Sequence, residues 1–300
     1  SESPDAFPYE LAFTANEFPY EERPVASPSG DRVAYTVITP PATQPQDDRF
    51  LASGTPTTAN GARLYVVSAD ARSATTSVAV CAGKGNQWSP AWAPDGKRLA
   101  FYSDVDGRVH AWTYEPATGA CRRVSEAVVR GSVFSGSEPR WSPDGATLYL
   151  PLDPNPPAAS SATTVQEQAV AGSGKAEAIV HFGGGEADEP AKQTTRMGSS
   201  DTVMMRYYNA TLAAVPLSGD EVRLLVPAEH ETRPNRLEVS PSGRWVSYLS
   251  VIYPQEEISA EYLTDLQVLQ SAGGTPQQIA KGLKSSEHSV NYTRADYRWH

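Results

Sequence analysis

The sequence lacks the usual short motifs of catalysis, metal binding and nucleotide binding. Its 300 residues contain no Gly-x-Ser-x-Gly segment, which presents the serine nucleophile of many hydrolases. The five histidines show no His-x-x-x-His or His-Glu-x-x-His spacing, and the two cysteines make no recognisable zinc set. No Gly-x-Gly-x-x-Gly follows a strand pattern, and the three glycines at 183–185 lack the Lys-Ser/Thr of a phosphate loop. These absences predict a chain without catalytic residues, metal or cofactor of its own.

Long hydrophobic runs and clusters of basic residues are missing as well. No apolar stretch approaches the roughly 18 residues of a membrane-spanning helix. With 25 Lys and Arg against 35 Asp and Glu, the net charge is −10 and no basic stripe is present. This balance argues against a nucleic-acid surface, because phosphate binding requires clustered positive charge. The opening Ser1–Asp5 has neither a basic nor an apolar leader pattern, which fits a mature exported protein as well as a cytoplasmic one. The oligomeric state is left open.

What the sequence has instead is a tetrapeptide that recurs among 25 prolines and 22 glycines. The copies are Ser27-Pro28-Ser29-Gly30, Ala93-Pro94-Asp95-Gly96, Ser142-Pro143-Asp144-Gly145 and Ser240-Pro241-Ser242-Gly243. Their first residues are separated by 66, 49 and 98 positions, and the last interval is twice 49. Proline fixes φ early in a turn and glycine accepts positive φ at its end, so each copy predicts a tight connection between antiparallel strands.

A second recurring unit, made of a short strand, a glycine-containing turn and another strand, lies between the tetrapeptides. It is anchored at residues 64, 109, 165, 212 and 266. Together the two units give four short strands in about 50 residues, which is the size of a β-propeller blade. A β-sandwich also has many short strands, but it gives no reason for one turn to recur at a fixed interval. The sequence therefore predicts an all-β propeller of four-stranded blades, with Trp88, Trp92 and Trp141 in the core between them.

The spacing predicts about five blades and the start of a sixth, with one turn motif lost within the interval of 98. We expect these blades to be part of a larger ring of the seven-bladed type. Near the C-terminus, Arg298-Trp299 repeats the approach to the third turn made by Arg140-Trp141. Because closed propellers protect their sheet edges, we expect residues 1–300 to be the front part of a longer polypeptide. The alternative is a five-bladed ring closed by a terminal strand. The interval of 66 predicts an insertion loop at residues 40–61.

Two pairs of residues are candidates for special roles. Cys81 and Cys121 fall near the last strands of consecutive blades, which allows a disulfide without requiring one. A bonded pair would favour an oxidising compartment. Glu256 and Glu257 follow a strand pattern, and two carboxylates at a pocket rim could hold a cationic group of a substrate. Adjacent strand residues point to opposite faces, so the alternative is a solvated pair.

The repeats resemble those of a known family. The segments that carry the resemblance are Tyr9–Thr14, Ala26–Val37, Trp88–Asp104 and Pro139–Gly145. They are similar to the repeats of TolB-type propellers and of the N-terminal propeller in the prolyl oligopeptidase family of serine peptidases, which includes dipeptidyl and acylaminoacyl peptidases. The order of the segments near the N-terminus favours the peptidases.

The resemblance implies a propeller that caps a C-terminal α/β-hydrolase domain and admits short peptides to a Ser-His-Asp site outside this chain. It implies a peptide substrate and no catalytic residue within residues 1–300. We expect a periplasmic or secreted location, with the cytoplasm as the alternative. Glu256-Glu257 is similar to the paired glutamates by which dipeptidyl-peptidase IV-like members hold a free N-terminus, although the flanking Tyr253-Pro254-Gln255 departs from their context. The alternatives are a non-enzymatic TolB-type interaction propeller of the cell envelope and a different hydrolase fused to the same propeller.

Overall fold

A computed structural model of the chain describes residues 22–39, 50–69, 76–131, 138–156, 209–219, 221–227, 234–252, 261–286 and 299. These residues form sixteen strands in four antiparallel sheets of four strands each. The first sheet contains β1 (Val25–Ala26), β2 (Arg32–Ile38), β3 (Ala62–Ser68) and β4 (Val78–Ala79), and the second contains β5 (Gln87–Trp92), β6 (Leu99–Ser103), β7 (His110–Glu115) and β8 (Ala120–Arg123). The third contains β9 (Arg140–Trp141), β10 (Thr147–Leu152), β11 (Thr211–Pro216) and β12 (Arg223–Leu224), and the fourth contains β13 (Pro234–Val239), β14 (Trp245–Ile252), β15 (Glu261–Gln270) and β16 (Gln277–Ser286).

Each sheet is a meander whose strands are paired in chain order. The first strands of successive sheets lie side by side, since β1 contacts β5, β5 contacts β9 and β9 contacts β13. The first strands therefore form the inside of the arrangement and the fourth strands its periphery. This is the architecture of a β-propeller, and the four sheets are four of its blades, as the repeats predict.

The recurring tetrapeptides are the turns between the first and second strands of all four blades. In the second blade, Ala93 N donates to Arg98 O at 2.8 Å and Gly96 N donates to Ala93 O at 2.9 Å. The other three turns repeat both hydrogen bonds. The closing glycines have φ of 72°, 68°, 69° and 70° at Gly30, Gly96, Gly145 and Gly243. The predicted tight turn with a left-handed glycine is confirmed.

The turns also connect one blade to the next. A methyl group added at Gly96 would lie 3.6 Å from Pro28 Cδ of the preceding blade, and Gly145 and Gly243 face Pro94 and Pro143 in the same way. The proline that shapes each turn is therefore also a packing surface for the next turn.

Two tryptophans repeat a second contact between blades. Trp92 Nε1 donates to Val25 O at 3.0 Å, and Trp141 Nε1 donates to Ala91 O at 2.9 Å, so each reaches the equivalent carbonyl of the preceding first strand. Trp88, Trp92 and Trp141 are 3%, 8% and 8% exposed, which agrees with their predicted place in the core. Blades stabilise one another in this way because a single sheet cannot bury both faces.

The blade count differs from the sequence prediction. Strand β10 pairs directly with β11, from Thr147 opposite Pro216 to Leu152 opposite Thr211. The interval of 98 between the third and fourth turns therefore belongs to one blade with a long connection between its second and third strands. It is not two blades with a lost motif, so the described residues form four blades where the spacing predicted five. The anchor at residue 165 lies outside the described residues. So do residues 287–298, where a sixth blade was expected to begin.

The stacking of the turns gives all four blades the same orientation, so the propeller has two distinct faces. The tetrapeptide turns define the turn face. On the opposite face, here called the loop face, the second strand of each blade connects to the third through residues 39–61, 104–109, 153–210 and 253–260. Two of these connections are long, and the predicted insertion at 40–61 is the first of them. Residues 40–49 and 157–208 lie outside the described part of the chain.

Candidate functional site: the loop face at the junction of the first three blades

Arg130 joins the bases of both long connections. It lies in the segment after β8, where Arg130 N donates to Pro151 O at 3.0 Å beside the isolated bridge between Val129 and Leu152. Its Nη2 donates to Asp153 Oδ1 at 2.5 Å, and its Nε donates to Asn209 O at 3.3 Å. Asp153 and Asn209 are the residues at which the described chain leaves the third blade and returns to it.

The same guanidinium lies 5.5 Å from the ring centroid of Phe50, in the connection of the first blade. Phe50 is 2% exposed, and the side chains of Arg130 and Asp153 are 9% and 4% exposed. A buried arginine is tolerated when a carboxylate and further acceptors surround it, and it then fixes the geometry of what it binds. Arg130 thus connects three blades at the loop face.

A second hub fixes the returning half of the insertion on the second blade. The Asp104 carboxylate accepts hydrogen bonds from Ser53 Oγ at 3.1 Å, Thr55 Oγ1 at 2.7 Å, Asn86 N at 2.7 Å and Asn86 Nδ2 at 2.8 Å. The Asn86 amide in turn accepts from Gly61 N at 2.9 Å. Four donors on one carboxylate hold residues 50–61 in place against the rim of the second blade.

Glu22 lies just before β1 and reaches the junction of the first and second blades. Thr36 Oγ1 donates to Glu22 Oε1, and Ser89 N donates to Glu22 Oε2 at 2.8 Å. Burial raises the pKa of Glu22 to about 7, with the two hydrogen bonds acting in the opposite direction and the charge of Glu138 adding to the rise. A carboxyl with a pKa near neutrality, held on a rigid strand end, is a common mark of a functional site.

Glu138, Arg140 and Glu238 extend this polar cluster across the third and fourth blades. Arg140 Nη2 lies 3.6 Å from Glu138 Oε2 and 3.2 Å from Glu238 Oε1, while its Nε donates to Leu237 O at 2.6 Å. Tyr102 is fully buried beside them, and its pKa is raised well above its usual value by burial and then by the charge of Glu138.

Together, Glu22, Ser89, Glu138, Arg140 and Glu238 form what we call the inner polar cluster, on or beside the first strands. It contains three carboxylates and one guanidinium, and its backbone donor, Ser89 N, is bonded to Glu22. Such groups bind and orient the polar ends of a ligand. Among the described residues, no group of three or more His, Cys, Asp or Glu side chains is placed to hold a metal ion.

The residues predicted from the sequence fall in two different places. Glu256 and Glu257 fall between β14 and β15 in the chain and lie outside the described residues. Cys81 follows β4, Cys121 lies in β8, and the structure joins them in a disulfide with Cα atoms 5.7 Å apart. The disulfide therefore links the peripheries of the first and second blades, away from the inner polar cluster.

Sequence reasoning missed the cluster and both hubs. Glu22, Asp104 and Arg130 belong to no motif, and their partners lie far away in the chain. The structure marks the region in another way, since in the second and fourth blades the strand bulges four residues before the tetrapeptide, where Ser89 and Arg236 have φ of 56° and 51°. Bulges of this kind are enriched beside functional sites, but they are not readable from residue types alone.

Several solved structures are similar to the chain at low identity and with TM-scores below 0.5. No protein-family model matches the chain. Among solved structures it is similar to TolB from Acinetobacter baumannii, with 14% identity, a TM-score of 0.45, and coverage of 88% of this chain and 44% of TolB. It is similar to the acylaminoacyl peptidase of Pyrococcus horikoshii, with 13% identity, a TM-score of 0.45, and coverage of 91% of this chain and 33% of the peptidase.

An oligogalacturonate lyase in complex with manganese is similar as well, with 10% identity, a TM-score of 0.47, and coverage of 89% of this chain and 54% of the lyase. At these identities and TM-scores the likenesses assign no function, and the three proteins carry different names. The chain spans less than half the length of the TolB and peptidase structures that it matches. Within the described residues, no helix is long and apolar enough to cross a membrane.

Proposed function

We propose that this chain is the substrate-gating propeller of a serine peptidase similar to the prolyl oligopeptidase family, with a catalytic α/β-hydrolase domain outside these 300 residues. The sequence resemblance points to this function. The observation that carries it is the asymmetry of the two faces. The turn face has the four short tetrapeptide turns, whereas the loop face has two long connections that meet at one buried arginine, Arg130.

In this proposal the blades form a stiff ring that admits short, extended peptides and excludes folded chains. Rigidity is essential, because a filter that opens freely does not discriminate by size. Stacked turns, Trp92 and Trp141 hydrogen bonds and the Cys81–Cys121 disulfide all resist separation of the blades. The disulfide also supports a periplasmic or secreted location, since such bonds persist in oxidising compartments.

Within this function, Glu256 and Glu257 are the proposed contacts for the free N-terminus of the substrate. This role is supported by the described strand ends on either side, since β14 ends at Ile252 and β15 begins at Glu261, both at the loop face. Two carboxylates there would pair with an α-ammonium group, which requires that the peptide be unblocked.

The test is hydrolysis of matched chromogenic peptides by the full-length protein. We expect turnover of dipeptidyl or aminoacyl amides by the full-length protein and no turnover by residues 1–300 alone. The Glu256→Gln/Glu257→Gln variant should raise KM for peptides with a free N-terminus and leave the KM of N-acetylated peptides unchanged. Glu126→Gln, at an exposed carboxylate paired with Arg123, is the matched control.

Two results would overturn the proposal. One is turnover by residues 1–300 alone, because the gate would then contain the active site. The other is a full-length protein without peptidase activity that binds a partner protein of the cell envelope, which would establish the interaction propeller instead.

A further inference from the structure

A cavity lies between the second and third blades, at the turn-face end of their junction. Its volume is about 190 Å³, and its walls include Arg98, Thr113 and Arg122 from the second blade and Leu217 from the third. A cavity of this size can hold a small molecule, since about 150 Å³ is enough to bind benzene. The proposed gating function is carried by the opposite, loop face and does not use this cavity.

The strand register explains why polar side chains line this junction. Thr113 in β7 lies opposite Arg122 in β8, and the next pair along the ladder is Tyr114 opposite Cys121. Tyr114 and Cys121 pack in the apolar cluster shared with the first blade. Because successive residues of a strand point to opposite faces, Thr113, Glu115 and Arg122 face the third blade. The second blade therefore presents charged groups to its neighbour at this end of the junction.

The third blade holds Arg98 in a fixed position within the cavity. Arg98 Nη2 donates to Gly145 O at 2.8 Å, and the guanidinium lies 5.2 Å from the centroid of the Trp141 ring. Leu217 N donates to Ala146 O at 2.9 Å, so the apolar wall is fixed to the same turn as the arginine. A guanidinium has more N–H donors than one carbonyl uses, so Arg98 keeps donors for a ligand.

The two arginines of the cavity are not neutralised by carboxylates. Neither Arg98 nor Arg122 forms an ion pair with an acidic side chain in the part of the chain that the structure describes. Glu115 also lines the cavity, and its Oε2 accepts a hydrogen bond from Thr118 Oγ1 at 2.9 Å. Two arginines and one glutamate leave the cavity with a net positive charge, in a chain whose own net charge is −10. Arginine is well suited to bind carboxylates and other anions.

We propose that this cavity binds a small monocarboxylic acid with an apolar body. Arg98 and Arg122 hold the carboxylate, and Val124 and Leu217 pack against the body. A dianion such as phosphate is disfavoured, because Glu115 repels the second charge and the apolar walls give it no donors. The bound acid contacts both blades and so joins the second to the third. This site is independent of what the propeller gates.

The test is ligand-observed NMR on the intact protein, with benzoate as the probe and benzamide as its uncharged counterpart of similar shape. We expect saturable binding of benzoate with a Kd in the millimolar range, as befits so small a ligand, and no saturable binding of benzamide. Inorganic phosphate should not displace benzoate. The net charge of −10 opposes unspecific binding of anions, which keeps the background low.

Two variants and a control locate the binding. Arg122→Gln should weaken benzoate binding about tenfold, because it removes a charge-assisted hydrogen bond from an exposed position. Arg123→Gln makes the same change at the next residue, whose guanidinium is paired with Asp106 and Glu126, and should bind benzoate like the wild type. Ala120→Phe keeps both arginines but fills the cavity, so it should abolish binding.

The outcomes that overturn the proposal differ from one probe to the next. Equal binding of benzoate and benzamide would show that the arginines do not select a carboxylate. Displacement by phosphate would show a site for anions in general. Wild-type affinity in Arg122→Gln or in Ala120→Phe would place the binding outside this cavity.

Discussion

Removal of the Cys81–Cys121 disulfide should destabilise the propeller strongly. The bond joins residues 40 positions apart in the chain, one after β4 and one in β8. Closing a loop of this length in the unfolded chain lowers its entropy by an amount worth about 4 kcal/mol at 25 °C. Both cysteines pack against the apolar cluster between the first two blades, which contains Leu64, Leu99 and Phe101. Cys81→Ala/Cys121→Ala should keep this packing and remove the covalent link.

The assay is urea unfolding followed by tryptophan fluorescence at pH 7. We expect the double variant to lose about 4 kcal/mol of unfolding free energy relative to the oxidised wild type. A thiol-free reductant should bring the wild type to the same curve and should leave the variant unchanged. Alkylation without reduction should modify no cysteine in the wild type. Two reactive thiols, or a wild type that is insensitive to reductant, would refute the disulfide and with it the inferred oxidising compartment.

Three further predictions concern the hubs and the blade contacts. Arg130→Met should cost about 3–5 kcal/mol in urea unfolding, because it leaves Asp153 buried without its partner, and adding Asp153→Asn should recover part of the loss. Gly85→Ala should lower the free energy of unfolding by about 2–3 kcal/mol, since its methyl group would lie 2.6 Å from Val105 Cα. Gly119 also has positive φ but faces open space, so Gly119→Ala should cost about 1 kcal/mol in the same assay. The raised pKa of Glu22 means that the folded state binds the Glu22 proton more tightly than the unfolded chain does. The contribution of this proton to the free energy of unfolding is therefore fully present below pH 4.5 and is lost as the pH rises through 7. Urea unfolding across this range should show a loss of about 3 kcal/mol that is absent in Glu22→Gln.

The turns were predictable because their chemistry is local. Proline and glycine determine the backbone of the tetrapeptide by themselves, so Gly96 adopts its left-handed conformation whatever surrounds it. Strand type and blade architecture follow, since a repeated turn implies a repeated unit. Even the burial of Trp92 and Trp141 could be inferred from their fixed place before the turn.

The blade count was not predictable from spacing. Two different structures give the same interval between the third and fourth tetrapeptides. One is a second blade whose turn motif is degraded, and the other is a long connection inside one hairpin. Only the pairing of Leu148 with Val215 distinguishes them, and pairing is a long-range property. The coincidence that 98 is twice 49 made the wrong alternative more attractive.

The inner polar cluster and the Arg130 hub were out of reach for a related reason. Glu22 bonds to a residue 67 positions away, and Arg130 to one 79 positions away. Single glutamates and arginines are common on protein surfaces, so their types carry no signal without the fold. The paired Glu256 and Glu257 attracted attention because they are adjacent, and their role stays a prediction.

The most direct test of the gating function is labelling of the full-length protein with a fluorophosphonate, followed by mass spectrometry of the modified peptide. Fluorophosphonates react with activated serines and ignore ordinary ones. We predict one labelled serine in a Gly-x-Ser-x-Gly segment outside residues 1–300, with labelling blocked by a short peptide substrate. Labelling within residues 1–300, or no labelling of the folded full-length protein, would contradict the claim that this propeller gates a serine peptidase.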